Sequence, residues 1–298
     1  MITEGQIPHI KNSFIGSFRV FCKNKMGVLS LIVLLFFIFI AVFGQLLVPY
    51  DPQSFGQNGI MEAPSASHVL GTDEMGRDLF GALVSGTRTS LLVGIFGTVI
   101  SMVVGALIGI VSGYRGGKID ALLMRLTDIM LVLPWLPLML VLAALMGSSI
   151  WNIIAVIGLT GWAQTARIIR AQTLSIKERQ YIERARVIGS SDFHIIRRHI
   201  LPDVFPLILA DAVTTAACAI DAETTLSFLG MGDITRPSWG MILHYAFESG
   251  AASSNAYWYL IPPGLCVLFV VLSFSYIGNA FDEIFNPRLR GRSENGAS

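Results

Sequence analysis

Residues 27–48, GVLSLIVLLFFIFIAVFGQLLV, contain no charged side chain, and this run restricts the possible folds more than any other feature. A backbone placed in hydrocarbon must satisfy its own amides and carbonyls, which a helix does, and roughly 20 apolar residues cross about 30 Å of lipid. The run is longer than the core of about 7–15 residues in a cleaved signal peptide, and no small-residue cleavage pattern closes it. It reads as an uncleaved anchor. Further apolar runs at about 88–113, 121–145, 150–167, 203–228 and 258–281 predict six transmembrane helices in an all-α, polytopic membrane protein. The hydrophobic content of 53% and mean hydropathy of +0.64 agree with that class.

The basic residues orient the chain, because Lys and Arg are retained on the cytoplasmic side during insertion. With the N-terminus inside, eighteen of the 21 Lys and Arg fall in inner segments, and only Arg77, Arg88 and Arg236 fall outside. The expected layout is a cytoplasmic segment 1–26, a first span 27–48 and an outer loop 49–87. A core 88–281 with five spans follows, carrying a cytoplasmic loop 168–202, and then a cytoplasmic tail 282–298. The chain is placed as a multi-pass membrane protein with both termini in the cytoplasm. Cys22, Cys218 and Cys266 are too far apart for a metal or disulfide spacing. A net charge of +1 implies no nucleic-acid partner.

The parts of a self-powered enzyme are missing. The nearest approach to a phosphate-binding loop, GYRGGKID at 113–120, has the wrong spacing and no hydroxyl after Lys118. The five His are scattered, without an H-E-x-x-H pair. Carboxylates inside apolar segments, Asp128, Asp211, Asp221 and Glu223, keep an ion-coupled secondary transporter open as a reading.

Against this background the stretch YIERARVIGSSDFHIIRRHILP, 181–202, is dense in charge. Tyr181, Ile182, Ala185 and Ile188 recur at three- and four-residue steps, which predicts a short helix with one apolar stripe. Gly189 suits its end, and Ser190 or Ser191 can cap a second short helix, Phe193 to His199. Pro202 disfavours helix at Leu201 and marks the next boundary. An ordinary basic loop at a membrane surface would account for the charge alone.

Glu183, Ala185, Gly189, Leu201 and Pro202 stand at the spacing of the EAA loop, and the stretch resembles that loop of ABC importer permeases. Arg184 and His199 depart from the usual Ala and Ile. LGTDEMGRDLF at 70–80, LSFLGMG at 226–232, PSWG at 237–240 and NPRLR at 286–290 are similar to the C-type permease of the dipeptide/oligopeptide/nickel subfamily, with Asn286 in place of the usual Asp. The resemblance implies a type I importer permease fold. It also implies a second homologous permease, two cytoplasmic ATPases that carry ATP and Mg, and an extracytoplasmic substrate-binding protein, in the lipid bilayer of a prokaryotic plasma membrane. This chain would bind no cofactor or metal and catalyse nothing. Its coupling contact would comprise Tyr181, Ile182, Glu183, Ala185, Ile188, Gly189, Leu201 and Pro202. Peptides are the expected substrates, with oligosaccharides and nickel chelates as alternatives.

Three other sets of residues are candidates. Gly71, Thr72, Asp73, Gly76, Arg77 and Asp78 either build a local turn, with Arg77 paired to a carboxylate, or shape a mouth where the binding protein docks. Trp162, Gln164, Asp211, Thr214 and Thr215 are candidates to line a path. On a helical projection Asp211 lies about 120° from Glu223 and about 280° from Asp221, which predicts different neighbours for each acid. Glu223 is expected to serve a structural hydrogen bond, and Asp128 to pair with Arg125. Gly97, Ser101, Gly105, Gly109 and Gly113 form a ridge of small side chains suited to close helix packing, and Pro134 and Pro137 predict a bend.

Overall fold

The computed structural model describes residues 21, 22, 24–51 and 59–285. The NPRLR stretch and most of the first basic cluster lie outside them. Ten helices carry the described fold: α1 Lys25–Leu47, α2 Leu79–Arg115, α3 Gly117–Val132, α4 Trp135–Met146, α5 Ile150–Lys177, α6 Gln180–Val187, α7 Asp192–Ile195, α8 Leu201–Leu226, α9 Trp239–Glu248 and α10 Tyr257–Phe285. The only β pairing among the described residues is an isolated bridge between Thr72 and Asp78.

Four helical stretches are long and apolar enough to cross a membrane, or five if the bent pair α3–α4 is one span. The expected count of six is therefore not reached on length and composition. The shortfall is α5, which has 28 residues but carries Gln164, Arg167 and Arg170. Its polar groups are matched by neighbours: Arg170 makes two hydrogen bonds to Asp120, at 2.6 and 2.7 Å, and Arg167 pairs with Asp128. Asp128 thus answers a residue on a facing helix instead of the expected Arg125, a partner that spacing along one helix cannot reveal. The bend in the third apolar run is 93°. Leu133 takes an extended conformation, φ −63° and ψ 134°, as the residue before a proline prefers. Pro137 falls in the first turn of α4, where its missing N–H costs no helical hydrogen bond.

The second span begins at Leu79, nine residues before its apolar run suggests, because Asp78 caps it by accepting from the Gly81 amide at 2.7 Å. Its small-residue ridge packs within the subunit, against α5. A Cβ added at Gly105 would sit 2.7 Å from the Trp162 carbonyl, and one at Gly109 2.7 Å from the Ala166 carbonyl. Ser101 donates to the Gly158 carbonyl at 3.1 Å between them. The two backbones approach because α2 presents glycine there, leaving space that Thr165, Ile169 and Thr173 of α5 fill. In contrast, α1 buries only Gly27, Ser30, Leu34, Phe37 and Gly44 and turns Leu29, Ile32, Phe36 and Phe43 outward, the distribution of a helix at the lipid edge.

At one end of the bundle α8 continues to Gly230, where a φ of +83° turns the chain. Gly240 then lets α9 lie on α8: a Cβ there would meet the Thr224 carbonyl at 2.6 Å. Glu223 is 1% exposed and accepts from Ser90 at 3.0 Å and Ser227 at 2.8 Å, while Ser90 accepts from the Trp239 amide. One carboxylate joins α2, α8 and α9, the structural role expected of it.

Replacing Gly109 with Leu should force α2 from α5 and lower the thermal midpoint of the purified protein, at an overpacking cost of about 1–3 kcal/mol. Gly264→Ala, where a Cβ meets nothing within 4 Å, should leave the midpoint within error in the same melt.

Candidate functional site

The charged stretch folds as the two-helix unit expected, with three differences. Helix α6 ends in a glycine cap: the Gly189 amide donates to the Arg186 carbonyl at 2.9 Å, the Ser190 amide to Ala185 at 3.0 Å, and Gly189 has φ +85°. Ser191 caps α7 by accepting from the His194 amide at 3.3 Å. Ile182 and Ala185 are buried with Ile110, Ile169, Ile176, Ile195, Ile200 and Val204 in one apolar cluster.

Ile188 does not join them. Steps of three residues drift by about 60° each on a 100° helix, so two steps carry Ile188 about 120° from Ile182. It is 82% exposed beside Val187, which is 85% exposed, and Glu183 is exposed on the same short helix. Tyr181 is also exposed, leaving only Ile182 and Ala185 on the buried stripe.

The second helix is Asp192–Ile195, shorter than expected, and no boundary follows it. A π-helical turn, Ile196–Ile200, runs straight into α8, with Leu201 helical at φ −57° and ψ −46°. Pro202 is accommodated because the wider turn reroutes the hydrogen bonds that its ring would break. Leu201 and Pro202 remain exposed in the first turn of α8.

Polar latches fix the unit to the spans. The Tyr181 hydroxyl donates to Asp203 at 2.6 Å, and Arg179 reaches the same carboxylate at 3.3 Å. Partial burial, followed by that bond to Asp203, raises the Tyr181 pKa and keeps the hydroxyl a donor. The Tyr114 hydroxyl donates to Asp192 at 2.8 Å, and the Arg186 guanidinium lies 5.3 Å from the Tyr114 ring centre. Asp192, Asp203, Val187 and Phe193, the last 72% exposed, were not singled out by the apolar stripe. The latch partners are distant in sequence, and the exposed apolar tip follows only from the helical drift.

A second site lies among α2, α3, α4, α5 and α8: a cavity of about 370 Å³. Gln164, Asp211, Thr214 and Thr215 line it, with Ser101, Thr160, Cys218 and Asp221. Trp162 does not line it; its side chain is buried against Val104 and Ile108. Asp221 shares the cavity with Asp211, against the expectation of different neighbours. An angle of 280° is 80° taken the other way, so Asp221, Thr214, Cys218, Asp211 and Thr215 fall within one arc of about 120°. Asp211 accepts from Thr165 at 2.6 Å.

The 71–78 motif builds the entry to α2. Gly71 and Gly76 both have φ +74°. Thr72 is fully buried, donating to the Gly59 carbonyl at 2.6 Å and accepting from the Glu62 amide at 2.8 Å. Asp73, 2% exposed, accepts from the Arg77 amide at 2.8 Å and its side chain at 2.6 Å. Burial opposes the Arg77 charge, and the Tyr50 oxygen and Asp73 outweigh it, so its pKa lies above the ordinary value. Asp78 also meets His68 at 3.0 Å. These six residues are buried or half-buried, so they hold the loop in shape from beneath; Met75 is the exposed member of the stretch.

Gly189→Val should cost about 1–2 kcal/mol, because a Cβ at Gly189 meets no atom within 4 Å and only the positive φ opposes it. Faster tryptic cleavage at Arg184 and Arg186 should report the frayed cap, and Gly189→Asn should cleave more slowly than Gly189→Val.

Residues 105–291 match the family described as binding-protein-dependent transport system inner membrane component, and residues 14–64 match the N-terminal TM domain of oligopeptide transport permease C. The chain is 36% identical to the dipeptide transport system permease protein DppC of Bacillus subtilis, over 90% of this chain and 83% of that protein. It is 37% identical to the oligopeptide transport system permease protein OppC of Haemophilus influenzae, over 91% and 88%. A solved structure of the MetNI methionine ABC transporter in inward-facing conformations superposes with a TM-score of 0.54 at 17% identity, covering 67% of this chain and 96% of that one. With its spanning helices, its fold and a match across well over half its length, the chain belongs to the binding-protein-dependent transport system inner membrane component family.

Proposed function

We propose that this chain is one of two permease subunits of an ATP-driven importer of di- or oligopeptides. The observation that carries the coupling role is the exposed tip of α6: Val187 and Ile188 face outward while Ile182 and Ala185 anchor the opposite side. Burying the two tip side chains on a partner stabilises the contact by about 1.5–3 kcal/mol each. Glu183 adds a directional charge beside them. The anchored face and the polar latches make the contact stiff, so a displacement of the tip is passed to α2 and α8.

In this reading two cytoplasmic ATPases bind ATP and Mg and grip the tip, and an extracytoplasmic binding protein delivers solute. A second, homologous permease completes the path, with both termini and the loop 168–202 in the cytoplasm. This subunit contributes half of the pathway through the cavity lined by Gln164, Asp211, Thr214 and Thr215, and it performs no hydrolysis. ATP favours the closed ATPase pair, and that difference in affinity between two states is the energy available to the helices. Peptides are preferred over oligosaccharides or nickel chelates because several relatives are named as dipeptide or oligopeptide permeases.

Joint substitution of Val187→Asp and Ile188→Asp should leave membrane insertion intact while the ATPases no longer co-purify and peptide uptake is lost. Retention of stoichiometric ATPase by that variant would remove the coupling role from α6.

A further inference from the structure

The cavity among α2, α3, α4, α5 and α8 has a charge asymmetry. Its volume of about 370 Å³ is that of a small-molecule site. Apolar walls from Met130, Leu133 and Trp135 face a polar stripe on α8. Two residues of that stripe, Asp211 and Asp221, are carboxylates, and no Lys, Arg or His is among the lining residues. Ten residues of helix set the two acids about 15 Å apart along the axis, so they form two levels of one wall. The levels differ: Asp211 is half-buried and takes the Thr165 hydroxyl, whereas Asp221 is exposed, with no ion pair to it among the described residues.

We propose that this cavity selects by charge, favouring solutes that carry an ammonium or guanidinium group, with Asp221 as the carboxylate that meets the cation and Asp211 as a second, pre-oriented acceptor. The proposal rests on the reading of the cavity as part of a peptide path, and it narrows the favoured substrate class to peptides of net positive charge, those with a Lys or Arg side chain. An acid-bearing wall with low-dielectric surroundings concentrates cations and repels anions. The Gln164 amide and the Thr214 and Thr215 hydroxyls can bind neutral peptide groups, so neutral peptides pass with no charge-based advantage.

Cys218 gives a probe that does not depend on transport, because it is exposed on the same stripe between the two acids. In the assembled complex, the rates at which a cationic and an anionic methanethiosulfonate modify Cys218 are measured by mass spectrometry of the peptide that contains it. Taking their ratio on one thiol cancels its thiolate fraction. The cationic reagent should be favoured, and Asp221→Asn should reduce that preference about two- to fivefold, the range of a solvent-exposed ion pair, with Asp221→Glu restoring it. A ratio unchanged by Asp221→Asn, or a Cys218 that neither reagent reaches, would overturn the proposal.

Uptake supplies the second arm. With one binding protein throughout, the ratio of Lys-containing to neutral tripeptide uptake should fall about two- to fivefold in Asp221→Asn. An unchanged ratio would overturn charge selection while leaving the peptide reading standing. Failure of the unaltered complex to import any peptide, with the Cys218 preference present, would overturn the peptide assignment and leave cation selection intact.

Discussion

The close approach of α2 and α5 is the constraint from which the other placements follow. Gly97, Gly105, Gly109 and Gly113 leave no room between the helices for a side chain: a Cβ at Gly113 would lie 2.8 Å from Thr173. In lipid there is little hydrophobic gain from pairing two apolar helices, so dispersion at short range and buried hydrogen bonds must hold them. With that pair set, Arg167 and Arg170 of α5 meet the acids of α3, and the face of α5 adjoining its contact with α2 forms one wall of the cavity.

The same pairing explains how a polar helix can sit in a membrane protein. The charged groups of α5 lie toward the α6 end, where Asp120 and Asp128 answer them, while its middle is filled with Ile, Ala and Thr against α2. Glu223 follows the same rule at the opposite end, where hydroxyl donors from two helices surround it. A carboxylate without those donors would be costly in this setting. Both ends of the bundle are thus tied by hydrogen bonds, and the polar stripe of α8 borders the cavity between them.

Much of this was legible in the sequence where the signal is local. Uninterrupted apolar runs located most of the spans, the ridge of small residues announced a close helix pair, and Gly189 with Ser191 marked the bend of the charged loop. What failed was of two kinds. Angular reasoning by steps of three placed Ile188 with Ile182 and set Asp221 apart from Asp211, because drift per step and the shorter way round the helix were both neglected. Non-local partners were invisible: Asp128 finds Arg167, Tyr181 finds Asp203, and the start of α2 depends on a cap and on buried threonine contacts in the preceding loop. The proline at 202 shows the limit of a local rule, since a rearranged turn upstream absorbs it.

That turn has a consequence for register. The wide loop at Ile196–Ile200 keeps one helical path from Asp192 to Leu226 while holding one residue more than an α-helical turn would. If the same five residues relaxed to ordinary α-helix, everything before the turn would rotate by about 100° relative to everything after it, the angle of the one residue no longer absorbed. The bent unit around Gly189 and the acid-bearing stripe are therefore phased like two hands on one shaft, and the extra residue sets the angle between them.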